Sequence, residues 1–263
     1  MASQGPVIVI PARYGSTRFP GKPLAKIHER SLLERTWRIA KAVKGAAEVY
    51  IATDDERIAR HARSFGAEAL ITRPECRNGT ERTWDAVRQL KTRAEIIVNL
   101  QGDAALTPPW VIEPVVEAMI QDPTVSWATP AAALNWSQYE QLLEAKKNGK
   151  ASGTFVVFES RFNALYFSKS PIPFVRNKTI KTPPIYRHVG LYAYRRAALE
   201  KYSMLTPSPL EEMESLEQLR ALHYGIAIRV VPVDYRGRTP WSIDNPEDVA
   251  VAEEIIEREG ELV

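Results

Sequence analysis

Short apolar runs alternate with longer stretches of helical period through the first half of the chain. Residues 7–10 (Val-Ile-Val-Ile) are continuously apolar and predict a strand buried on both faces. Residues 31–44 place Leu32, Leu33, Ile39, Ala40 and Val43 on one broad face, which predicts a helix opened by a Ser31/Glu34 capping box. Residues 48–53 read as the next strand, 55–65 as a short helix closed by Gly66, 69–72 as a short strand and 80–90 as a helix. Residues 95–101, with Ile96, Ile97, Val98 and Leu100, form a strong buried strand, and 108–119 a helix with proline near its start. Strands spaced by helices imply βαβ units, hence an α/β fold of Rossmann-like type with a mainly parallel sheet.

The middle of the chain has a different texture. Residues 153–158 and 164–168 are apolar, β-branched or aromatic, and a polar stretch over 159–163 separates them, so they read as a hairpin. Prolines at 171, 173, 183 and 184 bracket an irregular, basic linker. Residues 188–194 predict a strand, 209–224 a helix closed by Gly225, 226–233 a late strand and 245–259 a terminal helix. This layout suggests a nucleotide-binding α/β domain over 1–125 and 196–263, carrying a β-rich insertion over 126–195. No repeat or low-complexity segment interrupts it.

Composition narrows the class without naming it. With 263 residues the chain can build one sizeable core, and its 44% hydrophobic and 25% charged content is that of an ordinary globular domain. A net charge of +3 and six scattered tryptophans argue against a nucleic-acid partner. The single Cys76 excludes an intrachain disulfide framework and a cysteine-rich metal site, and reads as a buried or incidental thiol. The opening residues lack the basic and apolar regions of a secretory signal, and no apolar run approaches the roughly 18 residues of a membrane span, so a cytosolic protein without membrane insertion is expected.

In open α/β sheets ligands gather beyond the C-terminal ends of strands, and three such places carry polar groups. The first follows residues 7–10: a loop with Gly15, Gly21, Arg13, Arg18 and Lys22, offering backbone N–H groups and fixed positive charge to a polyphosphate. It is not a P-loop, because five residues separate Gly15 from Gly21 and Pro23 stands where a Ser or Thr would hold Mg2+. The second is Gln101-Gly102-Asp103, whose carboxylate is either a hard ligand for Mg2+ or a turn residue. The third is Asp244, read either as a metal ligand or as the cap of the last helix. Two carboxylates and a cationic loop together make a metal-triphosphate site. On the residues alone His188 reads as structural, Glu217 and Gln218 as the solvated face of a helix, and Tyr186, Tyr192 and Tyr194 mostly as core.

The run from Ile10 to Leu24 resembles the N-terminal signature of the CMP-Kdo synthetases (3-deoxy-manno-octulosonate cytidylyltransferases). The resemblance extends in order along the chain: residues 52–58, 78–82, 98–103, 164–173, 187–195, 208–225 and 244–249 each match a run of that family. It implies an enzyme that joins CMP from CTP to a 2-keto-3-deoxy sugar acid (Kdo) and releases pyrophosphate. Arg13, Arg18 and Lys22, with Ala12, Gly15 and Ser16 of the same loop, would bind the CTP phosphates, and with Asp103 would serve catalysis. Asp103 and Asp244 would hold Mg2+. Arg73, Thr80 and Arg82 would lie near cytosine, Gln101 would contact both substrates, and His188, Tyr192, Glu217 and Gln218 would line the acid-sugar pocket. A homodimer built through the insertion is also implied.

The match breaks at three places. Asp103 is followed by Ala104 and Ala105 where the family carries an acidic residue. Residues 150–156 depart from the family's run before the hairpin, with Phe155 in place of a lysine. Phe174 replaces a tryptophan. These changes crowd on the acceptor side and raise two alternatives: the same chemistry on a different acid, or a catalytically silent nucleotide-binding homologue.

Overall fold

A computed structural model describes residues 5–16, 18–148 and 153–263. In chain order its strands are β1 (Val7–Pro11), β2 (Lys26–Ile27), β3 (Arg30–Ser31), β4 (Glu48–Thr53), β5 (Glu68–Ile71), β6 (Ile96–Leu100), β7 (Trp127–Ala133), β8 (Phe155–Phe158), β9 (Ala164–Ser168), β10 (Tyr186–His188), β11 (Leu191–Arg195) and β12 (Arg229–Val233). The helices are α1 (Leu32–Ala42), α2 (Glu56–Ser64), α3 (Gly79–Val87), α4 (Pro109–Gln121), α5 (Trp136–Lys147), α6 (Arg196–Ser203), α7 (Pro209–Glu214), α8 (Gln218–His223) and α9 (Glu247–Glu259).

One ten-stranded sheet organises the chain, in the order β5-β4-β1-β6-β11-β7-β10-β8-β9, with β12 paired to β7. β5, β4, β1 and β6 run parallel, as the alternation of strands and helices predicts. From β11 onward the ladders turn antiparallel, apart from the parallel β7–β12 pair. Residues 126–195 thus supply β7 to β11 and α5, and their strands continue the central sheet directly.

Both faces of the sheet are buried, and the pleat sorts the side chains. Ile8, Ile10, Val98 and Leu100 join one core cluster with residues of α1, α2 and α4. Val7, Val9, Ile97, Tyr192 and Tyr194 join the opposite cluster, with residues of α3, α6 and α8. Ser31 caps α1 by accepting from Glu34 N at 3.1 Å. The predicted reciprocal half of that capping box does not form, because Arg38 takes the Glu34 carboxylate one turn later.

Two expected elements are divided. The strand expected over 188–194 becomes β10 and β11, broken at Val189–Gly190, where Leu191 N turns back to Val189 O at 2.7 Å. The helix expected over 209–224 becomes α7 and α8, broken at Ser215, whose backbone is left-handed (φ 50°). Among the described residues no strand leads into Asp244; the last one, β12, ends at Val233. Among the described residues no helix is long and apolar enough to cross a membrane.

Candidate active site

The strand order reverses between β1 and β6, and a cleft of about 710 Å³ opens beyond their C-terminal ends. Gly102 lets the two strand ends meet, since a Cβ there would stand 2.8 Å from Pro11 O. The loop after β1 is folded on Tyr14: Ser16 N and Gly21 N both donate to Tyr14 O, at 2.9 and 3.0 Å. Arg57, held by Asp55 on α2, stacks on the Tyr14 ring with its guanidinium carbon 3.4 Å from the centroid. Gly21, at φ 72°, takes the left-handed turn that delivers Lys22.

The loop's cations meet both carboxylates. Lys22 Nζ donates to Asp103 Oδ2 at 2.9 Å and to Ile243 O at 2.8 Å, and Arg18 Nη2 donates to Asp244 Oδ1 at 2.9 Å. Asp244 does not cap α9. That helix has Pro246 at its N-cap position with no side-chain cap, while Asp248 accepts from the Asp244 and Asn245 N–H groups. Arg13, Ala12 and Ser16 line the same cleft.

Of the residues expected near the base, Arg82 reaches the cleft, held by Thr72 Oγ1 at 2.6 Å and Asp54 Oδ2 at 3.0 Å. Arg73 and Thr80 are not among its lining residues. Arg73 is bound to Asp85 with its side chain largely in solvent, and Thr80 is fully buried behind the wall, bonded to Tyr194 Oη at 2.9 Å and accepting from Asn99 Nδ2 at 3.2 Å. Gly15 is exposed and likewise off the lining.

The opposite wall sets neutral hydrogen-bonding groups beside Arg187, Lys169 and Glu217. His188 Nε2 lies 2.8 Å from Thr129 Oγ1, whose hydroxyl donates to Leu191 O at 2.8 Å. The hydroxyl has one hydrogen to give, so Nε2–H is the donor and Nδ1 carries the lone pair. Burial pulls the His188 pKa down to about 3, and the ring is neutral. Tyr192 is buried beside it, edge-on to Trp127. Gln101 donates to Asn99 Oδ1 at 3.3 Å.

Glu217 and Gln218 follow the break at Ser215; Gln218 is buried and Glu217 is half-buried with its Oε2 shielded from solvent, which corrects their reading as a solvated face. Glu217 Oε2 and Gln218 Nε2 are buried without a protein partner, a pattern that fits groups shaped for a ligand. Burial raises the Glu217 pKa to about 7 against the pull of Thr80.

Residues 7–228 match the cytidylyltransferase family. A 3-deoxy-manno-octulosonate cytidylyltransferase of Maricaulis maris is 56% identical over 97% of this chain and 98% of its own length. The enzyme of that name from Chlamydia pneumoniae is 42% identical over 94% and 92%. The solved CMP:2-keto-3-deoxy-manno-octonic acid synthetase in complex with CTP superposes with a TM-score of 0.84 at 38% identity, covering 97% of this chain and 99% of that one. The chain belongs to the cytidylyltransferase family. A second solved structure, the 4-diphosphocytidyl-2C-methyl-D-erythritol synthase of Anaerococcus prevotii, is 14% identical with a TM-score of 0.60 and shares the fold alone.

For this nucleotidyltransferase the sequence reading passed over several lining residues, among them Arg187, Lys169 and Ser242. Arg187 had a visible signal: a charge inside a strand, directly before His188. Cys76 also lines the cleft, but burial pushes its thiol up, away from the nucleophilic thiolate.

Proposed function

We propose that the chain transfers the cytidylyl group of CTP to 3-deoxy-manno-octulosonate and releases pyrophosphate, with Mg2+ as cofactor. The observation that carries this reading is the convergence in one cleft of a cationic loop, two carboxylates and a facing wall that combines neutral hydrogen-bonding groups with Glu217, Arg187 and Lys169. Arg13, Arg18 and Lys22 bind the phosphates, with Lys22 meeting the charge that gathers on the departing pyrophosphate. Arg82 stands on the side of the base. Gln101, His188, Tyr192, Glu217 and Gln218 orient the acceptor. Its anomeric oxygen bonds to the α-phosphorus as the bond to the pyrophosphate oxygen breaks, and the hydroxyl proton is lost. Positioning and charge neutralisation carry the rate, without a protein nucleophile.

Asp103 and Asp244 suit Mg2+. They are hard oxygen donors, about a third and a fifth exposed, on the same cleft as the phosphate-binding cations. A pair of carboxylates completed by phosphate oxygens and water is an ordinary setting for that ion, and among the described residues no group of three or more acidic, His or Cys side chains offers an alternative. When bound, the ion neutralises phosphate charge and makes the attacking hydroxyl more acidic. The functional unit is a homodimer formed through residues 126–195, where Leu165 and Phe174 expose large apolar side chains.

A changed acid acceptor is the second reading, favoured by Ala104, which lines the cleft where the resemblance expects an acidic residue. The other departures weigh less. Phe155 is fully buried, with Lys146 Nζ 5.6 Å above its ring, so a cation is kept nearby, and Phe174 projects into solvent. Residues 150–152 of that run lie outside the described residues. Pyrophosphate release with CTP, Mg2+ and Kdo, set against a no-acceptor control and a panel of related 2-keto acids, tests both readings. Release with Kdo supports the first, release only with another acid replaces it by the second, and release with none overturns both.

A further inference from the structure

Arg187 is the one strongly basic side chain on the strand that also carries His188. It lines the cleft, and its hydrogen bond to the protein is a long one, from Nη1 to Pro240 O at 3.4 Å. Among the described residues no carboxylate acts on it, and burial pulls its pKa below the usual guanidinium range. The backbone packs closely on it, since a Cβ on Gly153 would stand 3.3 Å from Nε.

Two further cations stand in the same neighbourhood. Lys169 lines the cleft, and Lys146 Nζ donates to Lys169 O at 2.8 Å. Burial lowers the Lys146 pKa, and the charges of Arg187 and Lys169 lower it further. Among the described residues the one acid that acts on Lys146, Glu214, has both oxygens engaged, by Ser168 Oγ at 2.6 Å and Lys169 N at 2.9 Å. Three cations therefore converge with one committed acid between them. Lys169 is exposed, but Arg187 and Lys146 are only partly so, and partly desolvated positive charge with so little compensation is costly to a fold; its usual justification is an anionic ligand. A guanidinium fork matches a carboxylate through two parallel hydrogen bonds.

We propose that Arg187 receives the carboxylate of the acid acceptor, with Lys169 and Lys146 sustaining the positive field behind it. The proposal rests on the functional reading above and names the residue that selects an acid. Pyrophosphate is the other anion of that reaction. It has its own cations on the loop after β1, whereas Arg187, Lys169 and Lys146 all come from residues 126–195, on the far side of β11.

The test compares Arg187→Met and Arg187→Lys with wild type in the full chain, measuring KM for CTP and for the acceptor separately, thermal stability, and preference for the acid over its carboxamide. The Met variant should raise the acceptor KM by about tenfold or more, hold the CTP KM within about twofold and lose most of the preference for the acid. Its Tm should be unchanged or higher, because the guanidinium gives the fold so little. The Lys variant should recover part of the acceptor affinity. A rise in the CTP KM with the acceptor KM unchanged would assign Arg187 to the phosphates and overturn the proposal. So would a falling Tm with both KM values unchanged, which marks a structural arginine. If wild type uses an acid other than Kdo, the functional reading fails and the same comparison on that acid still decides this one. If wild type turns over no acid, both fall.

Discussion

Glu217 is a carboxyl that burial keeps close to half-ionised at neutral pH. Its pKa rises from 4.5 to about 7, so the folded chain holds this proton more tightly than the unfolded chain. The resulting stability is fully present below pH 4.5 and is lost as pH rises through about 7, a loss on the order of 3 kcal/mol. Glu217→Gln removes the ionisation and keeps the shape. Its melting temperature should match wild type near pH 5 and exceed it near pH 8, and parallel curves across that range would contradict the assignment. His188 works in the opposite sense: its pKa falls from 6.5 to about 3, so its contribution is present above 6.5 and lost as pH falls toward 3. The chemistry of these two side chains was only partly legible in the sequence. Both stood in recognisable runs, but nothing local to Glu217 announces that its carboxylate is shielded from solvent, because that shielding comes from the chain turning at Ser215.

The break at Ser215 also shows where periodicity misleads. Leu210, Met213, Leu216 and Leu219 continue a spacing of three across the join, with no Gly or Pro between them. Only the last two are buried; Leu210 and Met213 on α7 face solvent, whereas Leu216 in the join and Leu219 on α8 turn inward, so no single helix carries the stripe. Strands such as β1 and β6, and the starts of α1 and α2, were legible because an apolar run or a capping residue marks them locally. β7 was not marked locally, since Pro130 and its alanines carry little strand signal and only its neighbours on the sheet supply the ladder. α5 buries a single residue, Tyr139, and carries little apolar signal. What holds the break is Arg220, which is 1% exposed. It donates to Glu211 Oε2 at 2.7 Å and Glu81 Oε1 at 3.3 Å, and lies 4.7 Å from the Tyr202 ring centroid, joining α7, α8 and α3. Arg220→Met would leave Glu211 without its partner, while Glu81 keeps Arg77, and should destabilise by about 3–5 kcal/mol, with acceptor affinity falling more than CTP affinity. Chemical denaturation and paired KM measurements check this; a variant as stable as wild type would refute it.

At the scale of the whole molecule, the proposed phosphate loop follows the parallel half of the sheet and the proposed acceptor wall lies mostly along the antiparallel half, so one continuous ladder sets their separation. The proposed homodimer predicts a mass near twice 29.6 kDa by light scattering, reduced to the single-chain value by Leu165→Glu, which charges a residue 62% exposed on β9. A wild type that runs as a single chain at micromolar concentration would rule the dimer out. The ion pairs Lys22–Asp103 and Arg18–Asp244 carry a consequence of a thermodynamic kind. Each cation that turns toward a phosphate releases a carboxylate, and each carboxylate that takes a metal releases a cation. Nucleotide and metal affinities are therefore reciprocal quantities, each raising the other by the same factor. Asp103→Asn cuts one of these tethers. Calorimetry should find that it binds metal-free CTP more tightly than wild type, with a smaller gain on adding Mg2+, even as turnover collapses: a protein that holds its substrate better because it has lost the means to use it.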